Sequence, residues 1–131
     1  MEKSARWPRI ACTILLWTAS VVVALGIGIA GLTKFHRPNR WEPLFVGWGY
    51  PPWVSMVVGI AEVCGAIALL VPAVALYGAT LLAVVMAGAL ITLLRHPDGP
   101  LGWGATPSVY IILLIIIAVC RSRRRPLPQG D

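Results

Sequence analysis

Four long stretches of this 131-residue chain are almost free of charged side chains, and they limit the folds open to it. They cover about residues 10–32, 54–71, 74–94 and 106–120, and the only charged residue within them is Glu62. Crossing roughly 30 Å of hydrocarbon takes about 20 helical residues, and a helix satisfies its own backbone hydrogen bonds. We therefore predict an all-α fold, a polytopic membrane four-helix bundle formed by a single domain.

The composition excludes a soluble or disordered chain. Hydrophobic residues make up 58% of the sequence and charged residues 12%, and the mean hydropathy is +0.81. A soluble domain usually has about 25% charged residues, and disordered segments are polar and rich in charge. The net charge of +6 comes from basic residues at the ends of the apolar stretches. This placement favours a lipid bilayer as the partner and argues against nucleic acid.

The connections between the predicted spans define the topology. Proline-rich residues 33–53 form an outer loop, Pro72 separates the second and third spans by a tight turn, and 121–131 is a basic tail. With four spans, both termini lie on one side. That side carries more Lys and Arg than the other, so both termini are predicted to be cytoplasmic. The first apolar stretch is longer than the apolar core of a cleavable signal sequence, which usually has about 7–15 residues, and this favours a retained anchor.

Glu62 is the most informative single residue. A carboxylate at the centre of a membrane span costs about 2.5–3.5 kcal/mol even on insertion scales, so it requires a structural or functional reason. Lys34 and Arg95, at the outer ends of their spans, are its expected partners. Two interpretations stay open: a buried structural ion pair, or an intramembrane polar site that handles a proton or orients a ligand.

Small residues predict where the helices touch. Gly59, Gly65 and Ala66 lie on or beside the helical face that carries Glu62, and this face should therefore point into the bundle. Small residues also recur along the third span. The predicted helix-packing positions are Gly59, Gly65, Ala66, Ala83, Ala87 and Gly88.

The sequence contains no recognisable catalytic or metal-binding constellation. His36 and His96 are the only histidines, and ordinary interfacial residues are favoured over haem or metal ligands because no ligand spacing accompanies them. The three cysteines are widely separated, which favours packing roles over a redox pair. We predict no catalytic residue, no metal and no cofactor held by the chain itself.

Aromatic residues gather near the predicted outer surface, where tryptophan and tyrosine usually serve as membrane-interface anchors. This interpretation applies to Trp41, Trp48, Tyr50, Trp53 and Trp103.

Several motifs together resemble the DoxX-like family of small four-helix bacterial membrane proteins. The resemblance covers about residues 25–95, whereas the fourth span matches only in hydrophobicity. The matching motifs are Gly31-x-x-Lys34, Gly49-Tyr50-Pro51, Gly59-x-x-Glu62-x-x-Gly65, Pro72 and Met86-x-Gly88-Ala89.

The resemblance implies a location in the bacterial cytoplasmic membrane and a link to oxidoreductases. The family's namesake is similar to the small membrane subunit of a thiosulfate:quinone oxidoreductase, and Lys34 and Glu62 match the family's polar positions. We therefore expect a non-catalytic subunit or anchor of a membrane oxidoreductase assembly, with a protein partner and quinone as a possible ligand. A small proton-coupled transporter and a structural or assembly protein without a ligand are the alternatives.

Overall fold

The computed structural model describes residues 2–96 and 105–124, and the described residues form five helices and no strand. The prediction of an all-α fold is confirmed. The helices are α1 (Glu2–His36), α2 (Pro38–Gly47), α3 (Val54–Leu70), α4 (Ala75–Arg95) and α5 (Ala105–Arg124).

Three of these helices are long and apolar enough to cross a membrane. They are the segments Arg6–His36, Ala75–Arg95 and Thr106–Arg123, which contain three of the four predicted spans. The remaining apolar helix, α3, corresponds to the second predicted span but has only 17 residues. At 1.5 Å per residue it is about 25 Å long, slightly less than the hydrocarbon thickness.

The predicted outer loop over residues 33–53 is wrong in part, because helices occupy most of it. α1 continues to His36, and α2 begins at Pro38 after a break at Arg37. Proline is well tolerated at the first position of a helix, where its missing N–H has no partner to lose. Pro38 therefore starts a new helix instead of introducing a loop. Two other predicted segments, residues 97–100 of the turn and 125–131 of the tail, lie outside the described residues.

The helices pack in a closed order around one core. α1 packs on α3, α3 on α4 and α4 on α5, and a smaller contact between α5 and α1 completes the arrangement. α2 contacts α1 and α3. The fully buried large side chains of the core are Val23, Ile27, Leu69, Leu82, Leu114 and Ile117.

Glycines allow the backbones of neighbouring helices to touch at two crossings. A Cβ atom added to Gly31 of α1 would lie 2.9 Å from the carbonyl oxygen of Gly59 on α3. A Cβ atom on Gly78 of α4 would lie 2.7 Å from the backbone nitrogen of Leu69 and 2.8 Å from the carbonyl oxygen of Gly65. Such distances exclude a side chain, so glycine is required for these close approaches.

The close contact on α4 does not lie where the small residues predicted it. Ala83 is half-buried and packs against the core, Ala87 and Gly88 are exposed, and the backbone of the helix comes closest to α3 at Gly78. The physical reason is the short connection over residues 71–74, which holds α3 and α4 closest near the turn.

Candidate functional site: a buried ion pair in a cavity wall

Lys34 and Glu62 form a buried ion pair between α1 and α3. Lys34 Nζ donates a hydrogen bond of 2.7 Å to Glu62 Oε2, and each side chain is only 5% exposed. Among the described residues this is the one Lys–Glu pair whose members both lie in apolar helices. The structure therefore brings together two of the three residues predicted for the polar site.

The glycine crossing sets this pair in place. Each charged residue follows a glycine by three positions, Lys34 after Gly31 and Glu62 after Gly59. A Cβ atom on Gly59 would lie 3.2 Å from the Cβ of Lys34, and one on Gly31 would lie 3.0 Å from the Cβ of Glu62. Each charged side chain thus starts beside the partner helix's glycine, and the two charges meet across the contact.

Trp41 of α2 forms the third part of the site. Lys34 Nζ lies 4.4 Å from the centre of the Trp41 ring, a cation–π distance, and 3.5 Å from the carbonyl oxygen of Ala30. The ammonium group has three hydrogens, so it can donate hydrogen bonds to groups other than Glu62. The buried Nε1 atom of Trp41 has no hydrogen-bond partner among the described residues.

The ion pair lies in the wall of a cavity of about 420 Å³. This volume is within the usual range for small-molecule sites, about 300–1,000 Å³, and the wall is mostly apolar, as such sites usually are. All five helices contribute to it, with α2 covering one end. The lining residues that carry polar groups are Lys34, Trp41, Trp48, Tyr50, Glu62, Thr92, Thr106 and Tyr110.

A hydrogen bond ties the segment after α2 to α4. The hydroxyl groups of Tyr50 and Thr92 are 2.9 Å apart, and Thr92 Oγ1 also donates to the carbonyl oxygen of Gly88 at 2.9 Å. Because a hydroxyl has one hydrogen, Tyr50 is the donor to Thr92. The ring of Phe45 packs against Tyr50 with centroids 6.1 Å apart. These contacts hold the aromatic end of the cavity against α4.

We expect Tyr50→Phe to lower the free energy of unfolding by about 0.5–1.5 kcal/mol, because it removes this hydrogen bond and keeps the ring. Thr92 retains its bond to the Gly88 carbonyl, so no buried donor is stranded. Denaturant titration in detergent micelles measures the effect. Trp53→Phe is the control, since Trp53 is exposed and should change stability little. Equal losses in the two variants would contradict the assignment.

The structure places the remaining predicted site residues outside the cavity wall. Arg95 is exposed at the end of α4, so it does not join the pair of Lys34 and Glu62. His36 is exposed at the end of α1, and His96 is half-buried after α4. The residues the structure describes contain no group of three His, Cys, Asp or Glu side chains that could hold a metal ion. The three cysteines are free.

Sequence analysis missed the aromatic side of the cavity. Trp41 and Phe45 of α2, and Trp48 directly after it, lie at positions i, i+4 and i+7, which places them on one side of the helix toward the cavity. This helical spacing is visible in the sequence and could have identified them. Trp53, by contrast, is exposed as an interface anchor would be, and Trp103 lies outside the described residues.

The fold and site define an integral membrane protein of apolar helices with a charged pair in the wall of a cavity. The sequence profile of the DoxX-like family matches residues 18–119, which is most of the chain. The chain belongs to the DoxX-like family. The match confirms the resemblance and extends it into α5, beyond the motifs that indicated it. No curated protein and no solved structure matches the chain significantly.

Proposed function

We propose that this protein is a non-catalytic membrane subunit that binds a quinone headgroup and thereby connects a partner oxidoreductase to the quinone pool. The observation that carries the proposal is the Lys34–Glu62 pair, buried in the wall of an apolar cavity large enough for a small molecule. Charged residues within membrane spans are costly, and those that occur usually mark functional sites.

The chemistry of the wall suits a flat apolar ring with carbonyl oxygens. A quinone carbonyl accepts hydrogen bonds but donates none, and the site offers donors in the Lys34 ammonium and the unpartnered Trp41 Nε1. Aromatic rings at the α2 end favour stacking with a planar ligand. The proposal assigns electron transfer to the partner oxidoreductase, and this chain holds the quinone.

The proposal includes a topology. α3 is taken as a membrane span like α1, α4 and α5. It is slightly short, and local thinning of the bilayer or tilt of its neighbours accommodates it. Both termini lie in the cytoplasm of a bacterial cell, and the ends of α1 and α4 lie at the outer face of the cytoplasmic membrane, in keeping with the excess of Lys and Arg near the termini. The ion pair then sits near the outer leaflet.

Binding of a labelled quinone tests the proposal. Protein in lipid nanodiscs is equilibrated with a radiolabelled benzoquinone, and an aromatic hydrocarbon of similar size without carbonyl groups serves as the control ligand. We expect saturable binding of the quinone alone. Trp41→Phe keeps a ring over Lys34 but removes the N–H, and should weaken binding about fivefold to tenfold. Equal binding of both compounds, or none, would contradict a quinone site.

The subunit part of the proposal needs a separate measurement. Purification in mild detergent, followed by mass spectrometry, should recover an oxidoreductase chain in a fixed ratio. Cells that lack the protein should lose partner abundance and quinone reduction together. If quinone binds but no oxidoreductase is recovered and quinone reduction is unchanged, the subunit role fails while the ligand assignment stands.

The transporter alternative rests on one observation, the buried Glu62 carboxylate in the cavity wall. An intramembrane carboxylate is the usual proton carrier of small transporters. Its hydrogen-bonded partner Lys34 argues for the binding role, because a transporter must release this pair in every cycle. Substrate-dependent proton movement in proteoliposomes, lost in Glu62→Gln, would favour the transporter.

A further inference from the structure

The cavity reaches the outer surface of α4 at two residues. Val84 and Gly88 both line the cavity, yet Val84 is 65% exposed and Gly88 is also exposed. They are separated by four positions and therefore lie one above the other on the helix. Met86, between them in sequence, also lines the cavity but is buried. These two residues therefore form the rim of an opening on α4.

The opening lies at the depth of the acyl chains. Gly88 precedes Arg95, the last residue of α4, by seven positions, which at 1.5 Å per residue is about 10 Å along the helix. Val84 lies about 6 Å farther from that end. Tyr50 and Thr92, which are joined by a hydrogen bond, form part of the wall on the side nearer the helix end. A molecule that enters at Gly88 therefore comes from the hydrocarbon and not from water.

Glycine at position 88 leaves this opening clear. A Cβ atom added there would meet no atom within 4 Å among the described residues, unlike the glycines that hold helices in contact. Glycine within a helix costs about 1 kcal/mol relative to alanine, and here no close packing requires it. The absence of a side chain at Gly88 is explained if a ligand must pass across α4 at this position.

We infer that the ligand of this cavity enters and leaves through the opening at Val84 and Gly88, and that it is a lipid-borne molecule whose long apolar chain remains in the bilayer. The inference rests on the proposed quinone site and narrows it to quinones that carry an isoprenoid or alkyl chain. The headgroup lies beside Lys34 and Trp41, and the chain crosses the rim at Gly88 into the lipid.

A bulky side chain at the rim tests the inference. Gly88→Leu obstructs the opening, whereas Ala87→Leu adds a similar volume at the neighbouring exposed position, outside the cavity wall. Leucine is a good helix former and both positions are exposed, so both variants should fold. Equilibrium binding in nanodiscs is measured with a benzoquinone that carries a ten-carbon chain and with the same ring without the chain.

We expect Gly88→Leu to weaken binding of the chain-bearing quinone about tenfold and to leave the chainless ring unaffected. Ala87→Leu should match the unmodified protein for both compounds. An unchanged affinity of Gly88→Leu for the chain-bearing quinone overturns the inference, and so does an equal loss for both quinones. If the unmodified protein binds neither compound, the proposed quinone site itself fails, which is a different result.

Discussion

Replacing Glu62 by methionine should lower the free energy of unfolding by about 3–5 kcal/mol, because it leaves the Lys34 ammonium buried without its partner. Lys34→Met should have a similar effect by isolating the carboxylate. Both side chains are 5% exposed, so water cannot readily replace the missing charge. Unfolding in mixed detergent micelles, with increasing sodium dodecyl sulfate, measures the free energy of each variant.

The double variant separates stability from binding. With Lys34→Met and Glu62→Met together, no uncompensated charge remains, and replacement of a buried pair by apolar residues of similar volume is often neutral or stabilising. We expect stability to return close to that of the unmodified protein, while binding of the labelled quinone is lost with the Lys34 donor. A stable double variant that still binds quinone would show that the pair has only a structural role.

A loss below about 1 kcal/mol in both single variants would contradict burial of the pair, since exposed ion pairs contribute about that amount. Glu42→Met is the matched control for loss of an acidic residue. Glu42 lies on α2, close to Trp41, but has no ion pair with the residues that the structure describes. Its replacement should alter the free energy of unfolding by less than about 0.5 kcal/mol.

The polar site could be predicted in part because a charged residue such as Glu62 is energetically unfavourable in lipid. A carboxylate in an apolar span needs a cation, and few cations lie at the outer ends of the spans. Lys34 is therefore among the expected partners. The choice between Lys34 and Arg95 depends on how α1 and α3 are aligned. That alignment is fixed by the contact of Gly31 with Gly59, which cannot be deduced from the sequence of either helix alone.

The cavity could not be predicted because the sequence indicates a loop where α2 lies. Four prolines between the first two spans indicated broken structure, but Pro38 lies at the start of a helix and Pro43 is accommodated within it. Tryptophan near a membrane surface usually serves as an anchor, and this role does not point to the helical spacing of Trp41, Phe45 and Trp48. Small residues on α4 could not single out Gly78 as the closest backbone contact, since such residues are common in membrane helices whether or not they touch a neighbour.

The second large effect is expected at the glycine crossings. Gly78→Leu should prevent α3 and α4 from packing, because even a Cβ atom there would lie 2.7–2.9 Å from backbone atoms of Leu69, Gly65 and Ala68. Backbone atoms cannot rotate aside as side chains can, so the helices must separate. The milder Gly78→Ala should cost about 1–3 kcal/mol by overpacking, measured by the same detergent unfolding.

Gly31→Ala adds a consequence for the site. The new methyl group would meet the Gly59 carbonyl oxygen at 2.9 Å, and separation of α1 from α3 there would lengthen the contact between Lys34 and Glu62. We expect a loss of stability of about 1–3 kcal/mol together with weaker quinone binding. Stability and binding should fall together in this variant. Gly78→Ala, which lies near the turn between α3 and α4 and away from the ion pair, should affect stability more than binding.

Gly28→Ala is the control on the same helix as Gly31. Its Cβ would lie 3.4 Å from the Cβ of Ala66, an ordinary van der Waals contact, and alanine favours the helix by about 1 kcal/mol. It should therefore be neutral or slightly stabilising. Close approach, and not the presence of glycine as such, then determines which substitutions matter. Similar losses for Gly28→Ala and Gly31→Ala would mean that the α1–α3 crossing, and with it the placement of the ion pair, differs from the one described.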